Sequence, residues 1–431
     1  MFTTFRNAWK IADLRKKLLF TLLILFIYRI GNRIPVPGVD VAALRTFFDQ
    51  TLSTTVLGFY NTLSGSAFSE ATVLALSIQP YINASIIIQL LTIAVPALER
   101  MAKEEGEVGK KKLTRITRYT TVGLGLLMGV AYTVMLHNYN ILASDANFLS
   151  YVVIVLSFTA GSALVMWLGE QITEFGIGNG ISIILFANII SRIPDNIISL
   201  VTNLSTGAMK WWGATIVLVG VAALVLLIVF INDAERRIPI QYAKRVVGRK
   251  VYGGQNTNLP IKVNMSGVMP VIFAQSIAAL PATIFAFTNP NGTSGNGFVQ
   301  FLINMFDSSS WFYAFLYFIL IIAFAYFYAA VQYDPVEIAN NLKKNGGFIP
   351  GFRPGKPTAD FIHKVLNRIT MFGALYLAII AIAPIVTGAI LGQSGLAIGG
   401  TSIIIVVSVA LETTKALEAQ MLMRHYKGFL E

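Results

Sequence analysis

Long apolar runs separated by polar or basic segments recur along the whole chain. Each run approaches the roughly 20 residues that an α-helix needs to cross the hydrocarbon core of a bilayer. We predict ten transmembrane helices, at residues 18–30, 71–97, 120–136, 148–168, 177–200, 211–231, 265–288, 311–331, 369–391 and 396–411. This pattern indicates an all-α membrane protein.

The second predicted span is a poor lipid-facing helix because polar residues interrupt it. Its stretch SIQPYINASIIIQLL (residues 77–91) contains the polar residues Gln79, Asn83, Ser85 and Gln89. On a helix with 100° per residue, Ile78 and Ile86 lie about 40° from Ile82, and Gln89 lies about 20° from it. Amides and hydroxyls are costly in hydrocarbon. We therefore expect the side centred on Ile82 to face other helices or water.

Composition supports a membrane protein and excludes several kinds of chemistry. The 431 residues are 55% hydrophobic and 13% charged, and the mean hydropathy is +0.66. There is no cysteine, which excludes disulfides, thiolate metal sites and cysteine nucleophiles. His137, His363 and His425 all lie outside the predicted spans, so no histidine base is expected at mid-membrane. We predict neither an enzyme nor a bound cofactor.

The distribution of basic residues predicts the orientation in the membrane. The N-terminal segment, the alternate loops on its side and the C-terminal tail hold most of the 33 Lys and Arg residues. By the positive-inside rule both termini are cytoplasmic. Arg29 and Arg192 are the basic residues that fall within predicted spans. The first apolar run is predicted to be an uncleaved span, since arginines and IPVPG (residues 34–38) follow it. Setting topology explains most of the net charge of +12.

Ten spans with both ends on one side divide into two sets of five that enter the membrane from opposite sides. This is the arrangement of an inverted repeat, with a central pathway between residues 1–206 and 207–431. No clear sequence similarity links the two halves. A secondary transporter of a solute or lipid is the alternative function, although the centres of the spans lack the acidic residues typical of ion-coupled transport.

Three segments between spans are unusual. Two cytoplasmic loops, 232–264 and 332–368, are much longer than a turn requires. In the first, alternation around Val246, Val247, Val251 and Tyr252 predicts a basic β-hairpin or a similar finger. In the second, glycine and proline favour a turn-rich tip that contains Arg353. On the opposite side, residues 55–68 are apolar but too short to span, which predicts a short helix folded back into the protein.

Several motifs in the right order resemble the SecY family of bacterial protein-export channels. QPYINASIIIQLL (79–91) and WLGEQITEFGIGNGISIIL (167–185) are similar to the two signatures of that family. KVNMSGVMPVIFA (262–274), GFRPGKPT (351–358) and IGGTSIIIVV (398–407) are similar to further family segments. Ser77 stands where the family usually has glycine, and residues 58–67 are less glycine-rich than many family plugs.

The resemblance implies two five-helix halves around an hourglass pore with an apolar waist. Such a waist offers no polar group for a passing chain to bind, and a narrow apolar constriction dewets and blocks ions when idle. Residues 55–68 would be the plug that fills the outer funnel; a helix lying on the membrane surface is the alternative. The waist residues implied by the resemblance, here called the pore ring, are Ile82, Ile86, Ile181, Leu185, Ile272 and Ile405.

The resemblance also implies a lateral gate and a docking surface. The gate lies between spans two, three, seven and eight, with Gln89 and Asn264 as polar members. The docking surface, for a SecA ATPase and the ribosome, comprises Arg353, Arg236, Arg237, Lys244, Arg245, Arg249 and Lys250. Topogenic charge is the alternative role for these residues. Further implied partners are SecE-like and SecG-like subunits, polypeptides with signal sequences, and membrane lipids.

The predicted function is a protein-conducting channel of the bacterial cytoplasmic membrane. It would pass unfolded secretory polypeptides across that membrane and release membrane segments laterally into lipid. No nucleotide-binding motif is present, because GIGNG (176–180) is not followed by GK[ST]. The energy would therefore come from a soluble ATPase or from translation.

Overall fold

The computed structural model is predominantly α-helical. It describes residues 2–48, 56–103, 105–142, 147–207, 211–242, 245–247, 250–252, 256–288, 301, 305–306, 310–391 and 399–427. The helices up to residue 207 are α1 Phe2–Lys10, α2 Ala12–Gly31, α3 Val41–Phe47, α4 Val56–Ser64, α5 Gln79–Ala94, α6 Pro96–Lys103, α7 Gly106–Asn138, α8 Phe148–Phe175, α9 Gly180–Ser191 and α10 Ile193–Ser205. Those that follow are α11 Trp211–Asp233, α12 Met269–Thr288, α13 Trp311–Gln332, α14 Pro335–Lys344, α15 Lys356–Leu391 and α16 Gly399–Lys427.

Several of these helices are long and apolar enough to cross a membrane. Within the described residues, six helices pass this test by length and hydropathy, or seven if α5 and α6 count as one bent span. The all-α membrane fold is thereby confirmed, whereas the count of ten spans stays a prediction. Residues 396–398 of the predicted tenth span lie outside the described residues.

The prediction of one continuous helix over residues 71–97 is wrong at both ends. Residues 71–78 form buried turns, in which Ala71 and Ser77 have φ values of 42° and 48°, outside the range of a right-handed helix. At the other end, Val95 is extended because it precedes Pro96. There the chain bends by 105° into α6. The helical part of the span is therefore only α5.

The fifth predicted span, residues 177–200, corresponds to one candidate span, Gly180–Thr202, which contains a local break at Arg192. Asn179 caps the start of α9, where its side chain accepts hydrogen bonds from the backbone N–H groups of Ile181 and Ser182. The hydrogen-bonding pattern breaks at Arg192, which ends α9 and precedes α10. The reason is Pro194 in the first turn of α10, since proline has no N–H to continue α9.

The largest cluster of buried apolar side chains draws on both predicted halves. It includes Ile24 of α2, Val165 of α8, Ile272 of α12 and Leu377 of α15. Large apolar residues on the outer faces are exposed, such as Phe26 of α2 at 66%. An exposed apolar exterior around a buried apolar centre is what lipid-embedded helices require.

The two long loops, 232–264 and 332–368, contribute strands to one small sheet. Its order is β4 (Asn256–Lys262), β1 (Glu235–Tyr242) and β5 (Gly347–Phe348), all antiparallel. The predicted hairpin is confirmed, since β2 (Arg245–Val247) pairs with β3 (Lys250–Tyr252) in antiparallel register. The pairing of Gln241 with Phe348 joins loops about a hundred residues apart, and the sequence analysis did not foresee it.

The apolar segment 55–68 folds as predicted, into a short helix buried within the protein. Its helix is α4, and Leu57, Leu63 and Phe68 are each less than 5% exposed. Thr55 lies outside the described residues. α4 packs against α9 and α12, which places it among the helices that contain pore-ring residues.

Candidate pore, gate and docking surface

The six pore-ring residues all belong to, or pack against, one large buried apolar cluster. Five of them belong to the largest buried cluster, and Ile181 is half-buried against that cluster. They come from α5, α9, α12 and α16, four helices that are distant in sequence. Leu63 of α4 is part of the same cluster. Five of the six side chains are buried and Ile181 is partly buried, and their role as the waist of a pore stays a prediction.

On the face of α5 centred on Ile82, the isoleucines are buried and Gln89 is exposed, which agrees with the expectation that this side faces other helices or water. Ile78, Ile82 and Ile86 are at most 4% exposed, whereas Ile87 on the other side is 39% exposed. Ala84 on that other side is buried as well, because a small side chain allows a neighbouring helix to approach closely.

Polar side chains accompany the ring on its other helices. The members of this group, all at most 9% exposed, are Asn188, Gln275, Ser276, Thr401, Ser402 and Ser408. Among the described residues, the side-chain oxygens of Gln79, Asn188 and Thr401 accept no hydrogen bond from the protein. Buried polar atoms of this kind are usually satisfied by water.

The segment expected to be the plug, residues 55–68, is held by contacts at two points in its C-terminal half. Tyr132 of α7 donates a hydrogen bond to the carbonyl of Phe68 at 2.5 Å, and the two rings stack with centroids 4.4 Å apart. At the end of α4, Asn188 donates to the carbonyl of Leu63 at 2.6 Å. The sequence analysis assigned no role to Tyr132 or Asn188. The one sequence signal for Asn188 is that it lies on the same helical face as Ile181.

Gln89 bridges two of the helices expected to form the lateral gate. Its Oε1 accepts a hydrogen bond from the Tyr328 hydroxyl of α13 at 2.7 Å. Its Nε2 donates to Ser85 Oγ at 3.3 Å, one turn earlier on α5. Tyr328 was missed because an aromatic residue in an apolar span carries no signal of a polar contact.

Asn264, the second expected gate residue, makes a side-chain hydrogen bond away from Gln89. Its Nδ2 donates to Asn232 Oδ1 at 2.8 Å, and Asn232 Nδ2 donates to Ser408 Oγ of α16 at 2.8 Å. This network ties the end of α11 to α16, within the predicted C-terminal half. The structure therefore does not join Asn264 to Gln89 by a hydrogen bond.

The residues expected to form the docking surface are exposed wherever their side chains are described. Arg236 and Arg237 are both exposed near the start of β1, where they point to opposite faces of the strand, and Arg237 Nε is 3.8 Å from Glu235 Oε2. Arg353 is exposed in the turn between β5 and α15, where Thr358 Oγ1 donates to its carbonyl at 2.8 Å. Because β1 pairs with β5, these arginines are carried by one folded unit.

The remaining four residues of the expected docking surface are only partly described. Arg245 belongs to β2 and Lys250 to β3. Lys244 and Arg249 lie outside the described residues. Beneath the sheet, Ile238, Ile240 and Ile362 pack in a separate apolar cluster, which supports the loops as a unit.

The fold and the site define a polytopic α-helical membrane protein whose apolar centre is shared by several spans and a short inserted helix. The family model described as SecY matches residues 72–414. The protein translocase subunit SecY of Streptomyces scabiei is 45% identical over 441 residues, which cover 100% of both chains. The chain therefore belongs to the SecY family.

Solved structures show the same fold at low sequence identity. One of them has a TM-score of 0.67. Its description states that the plug domain of the SecY protein stabilises the closed state of the translocation channel and maintains a membrane seal. Its sequence is 19% identical, and the match covers 95% of this chain and 92% of the chain in that structure. Sec61 in the canine ribosome-channel complex from the endoplasmic reticulum has a TM-score of 0.62, with 16% identity and coverage of 95% and 93%.

Proposed function

We propose that the chain is the protein-conducting subunit of a bacterial translocase. It passes unfolded secretory polypeptides across the cytoplasmic membrane and releases membrane segments sideways into lipid. The observation that carries this proposal is the meeting of pore-ring side chains from four helices with Leu63 of α4 in one apolar cluster. Membership of the SecY family supports it independently.

The halves 1–206 and 207–431 flank the pathway, and α4 is the plug. The ring closes around the plug's apolar side when the channel is idle, so that no continuous file of water crosses the waist. A passing polypeptide displaces the plug and meets only aliphatic carbon at the ring. Aliphatic carbon neither donates nor accepts hydrogen bonds, so the ring tolerates polypeptides of any sequence.

Partners are assigned by position and charge. Both termini and the docking surface lie on the cytoplasmic side, where a SecA-like ATPase or a ribosome supplies the energy. The exposed arginines Arg236, Arg237 and Arg353 suit acidic protein surfaces and RNA phosphates, and phosphate contacts of this kind weaken as salt rises. A solved relative in a ribosome-channel complex supports the ribosome assignment. SecE-like and SecG-like subunits complete the assembly, and the protein has no catalytic centre of its own.

Serine substitutions in the ring test the channel directly. Ile82→Ser, Ile86→Ser, Ile181→Ser and Ile272→Ser, alone and combined, hydrate the waist and should increase ion leak through reconstituted protein. Ile87→Ser is the matched control, because Ile87 lies on the exposed side of the same helix. Unchanged conductance together with altered uptake of a small solute would instead support an inverted-repeat transporter.

A further inference from the structure

Arg29 in the last turn of α2 and Asn32, which follows the end of α2, contact the end of the plug helix. Asn32 Nδ2 donates a hydrogen bond to the carbonyl of Ser64 at 3.2 Å, and both residues are buried. Arg29 Nη1 donates a hydrogen bond to the carbonyl oxygen of Gly65 at 3.5 Å. The spacing of three residues places Arg29 and Asn32 on one face at the end of α2.

Two side chains at the end of α9 contact the two preceding plug residues. Asn188 Nδ2 donates to the carbonyl of Leu63 at 2.6 Å, and Arg192 Nη1 donates to Thr62 Oγ1 at 3.2 Å. Four consecutive plug residues, 62 to 65, thus each accept a hydrogen bond from a different side chain. These donors come from the first and the fifth predicted spans.

The chemistry of a helix end explains why donors gather here. The last carbonyls of a helix have no partner within it, and they carry the partial negative charge of the helix dipole. Amide N–H groups satisfy such carbonyls, and guanidinium groups also favour that charge. Arg29 and Arg192 are the basic residues that lie within predicted spans, where an ionised side chain is costly without a function. Both of them contact the plug.

A second layer of hydrogen bonds orients Asn188. Its Nδ2 also donates to the Tyr28 hydroxyl at 2.8 Å, and that hydroxyl is 3.1 Å from Ser77 Oγ. Asn188 is 0% exposed, and Tyr28 and Ser77 are 1% exposed. Gly65 leaves space for the donors, because a Cβ there would lie 2.9 Å from Asn188 Oδ1 and 3.0 Å from Arg29 Nη1.

We propose that Arg29, Asn32, Asn188 and Arg192 form a polar clamp that positions the plug helix under the ring. Displacement of the plug breaks these hydrogen bonds together, so the clamp sets how often the idle channel opens. The inference rests on the proposed function in one respect, that α4 is the plug of a channel. In this role the four residues are positioning residues, because they act on the pathway through the plug.

The absence of native cysteine makes plug displacement measurable. Leu63→Cys places a thiol at a position that is 1% exposed in this structure, so a membrane-impermeant maleimide reacts only when the plug moves. In that background, Asn188→Leu or Arg192→Met should raise the labelling rate roughly fivefold for each hydrogen bond lost. Asn232→Leu and Arg118→Met are matched controls, because neither residue contacts α4 through these bonds. Asn232 is hydrogen-bonded to Asn264 and Ser408, and Arg118 forms an ion pair with Glu170.

A double-mutant cycle separates the clamp from a general loss of packing. Arg192→Met and Thr62→Val remove opposite partners of one hydrogen bond, so the double variant should label little faster than either single variant. Arg192→Lys, which keeps a donor, should restore slow labelling. Additive effects, or control variants that label as fast as clamp variants, would overturn the clamp.

Gly65→Ala provides a test that removes no donor. The added methyl group pushes Asn188 and Arg29 apart at a residue whose φ is +66°, and faster labelling is the expected result. Slow labelling in every clamp variant, in protein whose ring variants leak ions, would refute the clamp and leave the channel intact. If the ring variants also fail to leak, it is the channel proposal that fails.

Discussion

The hydrogen bond between Tyr328 and Gln89 should set how hydrophobic a segment must be to leave through the lateral gate. The bond is 2.7 Å long and joins α13 to α5, two helices expected to separate when the gate opens. Hydrogen bonds between membrane helices contribute about 0.6 kcal/mol on average and about 1.7 at most. A short bond of this kind is therefore worth about 1 kcal/mol, which is roughly a fivefold change in the ratio of open to closed gate.

Tyr328→Phe removes the hydroxyl and keeps the ring. A leucine at the centre of a membrane segment contributes about 0.5 kcal/mol to insertion. If gate opening limits insertion, Tyr328→Phe should allow half-maximal insertion of a test segment with about two fewer leucines. The assay is a series of test segments with increasing leucine content, scored for membrane integration through the reconstituted channel.

Two further variants show whether the effect belongs to this bond. Gln89→Leu should shift the threshold in the same direction, and Gln89→Leu combined with Tyr328→Phe should shift it no further. Tyr326→Phe is the matched control, because the Tyr326 hydroxyl contacts the carbonyl of Asn367 on α15. An unchanged threshold in Tyr328→Phe, or an equal shift in Tyr326→Phe, would refute the reasoning.

Two other predictions concern the docking surface and the packing of the spans. Arg353→Glu should impair motor-driven export while the protein still inserts into the membrane. Lys364→Glu on α15 is the charge-reversal control. Normal export by Arg353→Glu would remove Arg353 from the docking surface. Gly161→Ala should destabilise the protein by about 3 kcal/mol or more, because its Cβ would lie 1.8 Å from the Val73 carbonyl oxygen. Gly123→Ala meets nothing within 4 Å and should leave thermal stability in detergent unchanged, so equal stability of the two variants would contradict this packing.

Hydropathy predicted where most helices lie, because the bilayer requires long apolar runs whatever their tertiary contacts. It did not predict where α5 begins. The turns before it depend on Ala71 and Ser77 at positive φ, a backbone feature that hydropathy does not encode. Glycine at position 77 would adopt this positive φ at little cost. Pro96, by contrast, was a readable stop signal inside the predicted span.

Contacts between distant segments were the part that the sequence could not show. The pairing of β1 with β5 joins two loops about a hundred residues apart, and neither loop alone indicates its partner. Arg29 and Arg192 were visible as charges within spans, but only the folded chain shows both beside α4. The pore ring depended on the family resemblance, because isoleucine and leucine are common at every position of a span.

The most direct test of the central claim is to locate a translocating polypeptide. A single Ile272→Cys or Ile405→Cys in the naturally cysteine-free chain places one thiol in the ring, and Leu156→Cys places one on an outer surface that is 54% exposed. A secretory polypeptide arrested in transit, with its own single cysteine, should form a disulfide with the ring positions and not with residue 156. Crosslinking at residue 156 without crosslinking at residues 272 and 405 would contradict passage through the apolar waist.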